Sequence, residues 1–209
     1  MLGDFRVGPQ VAAPGTPVSP STGRKAELLF AETRGKFYDL NYNGRLFHGS
    51  TAVAGASVNG AASLAQTSAI TLSNPVGSGV NAAILKAFWQ YVSGTMGLSG
   101  LMWAYCAAAS TGGTAGTVTS GSLKTPGGAA CTVWSGATSF SATSILLRPS
   151  GISFGAFVGG AGNPTPPVVE VVDGDIIVPP GFTVGLVAIG AAGTSDKSIM
   201  GLAWSEEPG

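Results

Sequence analysis

The stretch "VVEVVDGDIIVPPGFTVGLVAIG", residues 168–190, restricts the fold more than any other part of the chain. Three runs rich in Val and Ile are separated by Asp173-Gly174 and by Pro179-Pro180-Gly181. β-Branched side chains pack well on a pleated surface, whereas Pro and Gly set the backbone angles that reverse a chain. Each run has the length of a strand and is too short for a self-sufficient helix. The segment predicts strands over residues 168–172, 175–178 and 182–189, joined by turns.

The same pattern recurs elsewhere. Residues 69–73, 82–93, 98–109, 144–148 and 198–204 read as further strands, with Pro149 stopping the fourth of these. Residues 82–93, "AAILKAFWQYVS", fit a helical i, i+4 spacing as well as an alternation. Their aromatic and β-branched content and the flanking glycines favour a strand that is apolar on both faces. Such a strand is covered on one side by its own core and on the other by something else. Asn43-Gly44, between apolar residues 37–42 and 45–48, carries the strongest short-range hairpin signal. Residues 51–66 read as a loop, and residues 110–139 as short strands between long exposed loops. Many short strands, Gly/Pro turns and no firm amphipathic helix predict an all-β fold, a jelly-roll-like β-sandwich over residues 25–209.

Residues 1–24 precede it as an extended N-terminal arm, because Pro9, Pro14, Pro17 and Pro20 block helix and central strand alike. Two readings stand side by side: a disordered tail, or an arm laid on a neighbouring subunit. On the second, Leu2, Phe5, Val7 and Val11 are apolar anchors and Arg6 meets a carboxylate.

Charge now matters. Only 10% of residues are charged, while 44% are hydrophobic and 33 are glycine. A lone soluble domain keeps about a quarter of its surface charged, so a chain this poor in charge is expected to hide surface against other subunits. Net charge is zero, which implies no general pull towards nucleic acid. No apolar run is long enough for a membrane span, and the start "MLGDFRVG" lacks the apolar stretch of a secretion signal. Acid is concentrated late, in Glu170, Asp173, Asp175, Asp196, Glu206 and Glu207. These read as scattered solvated charges, with pairing between neighbouring copies as the alternative; Glu206-Glu207 reads as a solvated terminus. Cys106 and Cys131 could form one bridge, but free buried thiols are favoured.

Gly77, Gly79 and Ala82 match the spacing of a dinucleotide-binding loop, yet that loop must open a helix and be followed about twenty residues on by an acid. Here the next carboxylate is Glu170 and the next element reads as a strand, so Pro75, Gly77 and Gly79 are expected to form a turn. Asn43, Gly44, Pro179, Pro180 and Gly181 are assigned to turns on the same grounds. Residues 151–155 match G-x-S-x-G, but the only histidine, His48, lies far upstream rather than after the serine. Asp173 and Asp175 could offer oxygens to calcium, and a β-turn accounts for them with fewer assumptions. Trp89, Tyr91 and Trp103 could stack sugars or bases, but core or a subunit interface suits them better, and the interface is the assignment adopted. No catalytic residue, cofactor, metal or small-molecule substrate is expected.

"GKFYDLNYNGRLFHGS", "ITLSNPVGSGVNAAILKAFWQYV" and "DGDIIVPPGFTVGLVAIGAAGTSDKSIMGLAWSEEP" together resemble small virion proteins of tailed bacteriophages. The shared features are an Asn-Pro-x-Gly-Ser-Gly turn after a strand, an Asp-Gly-x-Ile-x-Val-Pro-Pro-Gly turn before one, and a Trp-x-Glu-x-Pro-like ending. The likeness spans most of residues 33–208 and is weak over residues 110–167. It implies a jelly-roll decoration, or cement, subunit on the outer surface of the phage head. Its partners would be itself, as a homotrimer, and the major capsid protein, with no direct contact to DNA or membrane. A tail or receptor-binding role, and a small carbohydrate-binding domain or enzyme, are the alternatives.

Overall fold

A computed structural model describes residues 35–58, 68–122, 128–136, 139–154, 157–158, 167–190 and 194–209. The chain divides into two units, Met1–Tyr38 and Asp39–Gly209, and the second contains the sandwich. A single helical turn, α1 (Tyr38–Tyr42), precedes twelve strands: β1 (Leu46–Ser50), β2 (Ser68–Ser73), β3 (Val80–Met96), β4 (Ser99–Cys106), β5 (Thr114–Ala115), β6 (Thr117–Ser120), β7 (Thr132–Gly136), β8 (Ile145–Phe154), β9 (Phe157–Val158), β10 (Val168–Val178), β11 (Thr183–Gly190) and β12 (Thr194–Pro208). Sheet I has the order β10-β3-β12-β1-β6, with β9 also on β3, and sheet II the order β5-β7-β2-β11-β4-β8. Every pairing is antiparallel. The expected all-β, jelly-roll-like sandwich is what forms.

The core lies between the sheets and alternates along the strands as their period of two requires. Ile84 and Trp89 of β3 and Met200, Leu202 and Trp204 of β12 face Ile70 and Leu72 of β2, Trp103 of β4 and Leu186 of β11, all fully buried. Phe47 of β1 stacks on Trp204 with ring centroids 6.0 Å apart. The outer face of sheet II has its own cover: Phe140 packs on Ala104, Cys106 and Val187. The second covering layer expected for two-sided strands is thus supplied, for β4, by this chain itself.

The two sides of the sandwich differ. On one, β5 and β6 are a single segment that passes from sheet II to sheet I at Gly116, whose N–H donates to Val133 O at 2.8 Å. On the other, β8 ends sheet II and β10 ends sheet I, each paired along one side only.

Several expectations need correction. Asn43-Gly44 does not form a hairpin. Residues 38–42 are helical, Gly44 has φ of 69°, and the amides of Asn43, Gly44 and Arg45 close the turn on Asp39, Asn41 and Leu40 carbonyls. A left-handed residue ends a helix as readily as it makes a tight hairpin, and β1 finds its partners far away, in β12 and β6. Pro149 does not stop β8, because an edge strand tolerates a missing N–H on its free side. Asp173-Gly174 does not separate two strands but makes an irregularity within β10. From Val171 to Ile176 the strand takes five steps while its partner β3 takes two, from Lys86 to Ile84, and Asp173 and Gly174 have φ of 54° and 86°.

Of the late acidic residues, Asp173 and Asp175 are exposed as expected, but those of β12 are held by partners. Glu206 is buried and accepts from Ala130 N (2.9 Å), Cys131 N (3.0 Å) and Trp204 Nε1 (3.1 Å). Asp196 is buried and accepts from Ser57 Oγ (2.8 Å) and Val58 N (2.7 Å). Glu207 pairs with Arg45. Each carboxylate ties a loop or neighbouring strand to β12, where the donors left over from the sheets would otherwise be buried unpaired.

Candidate functional site: the open flank of the sandwich

The side formed by β8 and β10 is the most distinctive surface of the molecule. Of the twelve large apolar side chains exposed among the described residues, six lie on these two strands: Ile145, Leu146 and Leu147 of β8, and Val169, Val171 and Ile177 of β10. The concentration follows from position. On β10, Glu170, Val172, Ile176 and Val178 turn inwards, so the intervening apolar residues must turn out. On β8, a register irregularity beside Leu147 exposes three successive aliphatic residues. Val171 and Ile177 are 59% and 62% exposed.

A charged rivet joins the two edges. Glu170, with only 8% of its side chain exposed, accepts from Trp103 Nε1 at 3.1 Å to either oxygen and from Arg148 Nη1 at 3.0 Å. Arg148 lies also 3.5 Å from Asp175, whose side chain is 70% exposed. One sheet thus supplies the cation and the indole, the other both carboxylates. Beside the rivet is an apolar cleft of about 220 Å³ lined by Tyr105, Leu147, Ile177, Pro179 and Phe182.

A second depression, of about 250 Å³, lies on sheet I around Gly201, with His48, Phe88, Gln90 and Ile199 on its walls. Partial burial of the His48 ring, and then the positive charge of Lys86, lower its pKa and favour the neutral imidazole.

The residues singled out in the sequence fall elsewhere. Trp89 and Trp103 are 1% and 0% exposed within the single chain, so they are core residues and not a surface for a second subunit. Tyr91 is half-buried and donates its hydroxyl to Gly94 O at 2.7 Å. These aromatics point inward because the alternation of β3 and β4 places their large side chains between the sheets, where burial gains most. Leu2, Phe5, Arg6, Val7 and Val11, and the boundary at residues 24 and 25, lie outside the described residues.

The turn residues do meet. The motif with Pro75, Gly77 and Gly79 joins β2 to β3, and a 17-residue strand, not a helix, follows it. Gly77 and Gly79 have φ of 76° and 72°. Asn74, fully buried, donates from Nδ2 to Val80 O (2.8 Å) and Val178 O (2.9 Å), and its backbone carbonyl accepts from Gly181 N (2.8 Å). The Asn-Pro turn and the Pro179-Pro180-Gly181 turn are therefore one clasp at one end of the sandwich. The G-x-S-x-G serine, Ser153, lies inside β8 rather than on an elbow, opposite Gly100. Cys106 and Cys131 are free and buried.

Sequence reasoning missed the flank. Its signal was there: three aliphatic residues in a row before Arg148-Pro149, and an acidic residue, Glu170, in phase with inward positions. What the sequence could not tell was that both strands end their sheets. No protein-family model matches the chain, and no curated protein and no solved structure matches it either.

Proposed function

We propose that the protein is a virion structural subunit, a decoration or cement protein. It would bind the outer surface of a phage head, as a homotrimer against the major capsid protein, and stabilise the shell against internal DNA pressure. The observation that carries this reading is the open apolar flank on a β-sandwich poor in charge. That surface is built for contact: aliphatic side chains are presented outward on a frame held rigid by an inter-sheet ion pair. In such a role function is binding energy, and large apolar surfaces left in water are costly enough to mark interaction sites.

The resemblance of the two turn motifs to phage virion proteins supports the choice of partner, and the joining of those motifs into one clasp accounts for their presence together. The test is decoration of purified, DNA-free phage heads by the full chain, read by co-sedimentation and by electron microscopy. Saturable binding at regular positions on the outer surface is expected, with heads that then survive heating or chelation better. Binding to tails or to host glycans on an array, with none to heads, would replace this reading by the receptor-binding one.

A further inference from the structure

We propose that the β8/β10 flank is the surface through which copies of this chain associate, by side-chain packing and not by strand addition. The inference rests on the reading of the chain as an assembling subunit and specifies where that assembly occurs.

Two features argue against strand addition. An unpaired edge normally recruits another strand through its free N–H and C=O groups, which leads to open-ended growth. Here β8 carries Pro149, which has no N–H to offer, and β10 carries the Asp173-Gly174 irregularity, which breaks the regular spacing of its edge. Proline and bulges are the devices that blunt an edge. Yet the side chains around these devices are apolar, so side-chain docking is left open while ladder pairing is obstructed.

Charge identifies a second copy as the occupant. The flank holds both signs close together, with Arg148 about one-third exposed and Asp175 70% exposed. A partner of uniform charge would meet one of them unfavourably. A second flank brings the same pair with the opposite order, so Arg148 of each copy can face Asp175 of the other. Apolar fit follows the same rule: the cleft between Leu147, Ile177 and Phe182 is a socket for an aliphatic side chain, and Ile145 and Leu146 project beside it. Knob and socket on one surface make it self-complementary, the property of a two-fold contact between copies, which can join one trimer to the next.

The test uses the full chain in sedimentation equilibrium. Wild type is expected to be a discrete oligomer at micromolar concentration. Leu146→Glu and Val171→Lys, both at exposed positions, should each weaken association at least tenfold while the melting of the monomeric fold persists. Single cysteines at the same two positions should form disulfide-linked dimers under oxidation, since Cys106 and Cys131 are buried and do not compete, whereas Thr119→Cys on β6, at the opposite side of the molecule, should not. A monomeric wild type, or variants with unchanged association, would overturn the inference. The proposed function fails separately: an oligomer that ignores phage heads defeats that reading alone, and a monomer that decorates heads defeats this one alone.

Discussion

Glu206 and Cys131 show how a single buried carboxylate organises its surroundings. Glu206 accepts the N–H groups of Ala130 and Cys131 and the indole N–H of Trp204, and so fixes the chain entering β7 against β12. The thiol of Cys131 is held in the same pocket. Burial raises its pKa first, and the neighbouring negative charge of Glu206 and a hydrogen bond to it raise it further. The folded state therefore keeps the thiol protonated. In the unfolded chain the proton leaves above about pH 8.5, so there the unfolded state binds fewer protons and stability falls as pH rises. Below that pH both states hold the proton and the contribution is fully present. The unfolding free energy of wild type is expected to decline from pH 8 to pH 10 more steeply than that of Cys131→Ala. The variant loses packing at every pH, so the difference in slope is the diagnostic quantity. Equal slopes in urea titrations would mean that the thiol is not held as described. Native Cys131 should also resist alkylation at pH 8, because only the thiolate is reactive.

The elements of the sandwich depend on glycine in two different ways, which substitution separates. At Gly116, where the chain passes between the sheets, a Cβ would fall 2.6 Å from Ser50 O and 2.8 Å from Val133 Cγ1. Gly116→Ala must push β1 or β7 aside and is expected to cost about 1–3 kcal/mol, as overpacking of a close-packed site does. At Gly79 a Cβ meets nothing within 4 Å, and the cost of Gly79→Ala arises from φ of 72° alone, about 1–2 kcal/mol. Gly79→Asn, which tolerates the left-handed region, should recover much of the loss, whereas Gly116→Asn should be worse than Gly116→Ala; chemical denaturation of the four variants checks both. The contrast also explains what was legible in the sequence. Turn glycines at Gly77, Gly79 and Gly181 announced themselves through adjoining Pro and Asn, and the strands from β10 to β12 through short-range alternation. Pairing partners are set by contacts distant in sequence, so the sheet switch at Gly116, the edge position of β8 and the inward turn of Trp89 and Trp103 were not readable. For Asn43-Gly44 the local signal was genuine but fitted two structures, and long-range pairing of β1 decided between them. The acidic residues misled for a related reason: nothing near Asp196 or Glu206 in the sequence reveals the distant amides they hold.

At the scale of the whole molecule, the core side chains described all come from the sandwich itself. Every buried apolar residue among those described lies between Leu46 and Trp204, and α1 begins only at Tyr38. Removing residues 1–24 therefore takes away none of these core side chains and none of the strand pairs among the described residues. The truncated chain is expected to fold, with a melting temperature within about 2–4 °C of the full chain, the shift that 1 kcal/mol produces in a domain of this size. It should also keep the same oligomeric state, because the β8/β10 flank is intact. Attachment to a phage head is where the deletion should be felt. A proline-containing segment has less conformational freedom to lose than an ordinary tail, so fixing it on a partner costs less entropy. Leu2, Phe5, Val7 and Val11 would then add apolar anchors, and Arg6 an ion pair, to whatever the sandwich binds. Co-sedimentation with empty heads should show the truncated protein bound at least tenfold more weakly than the full chain, at unchanged stoichiometry per site. Undiminished binding would make the arm a mere tail and place the whole of the attachment energy on the sandwich.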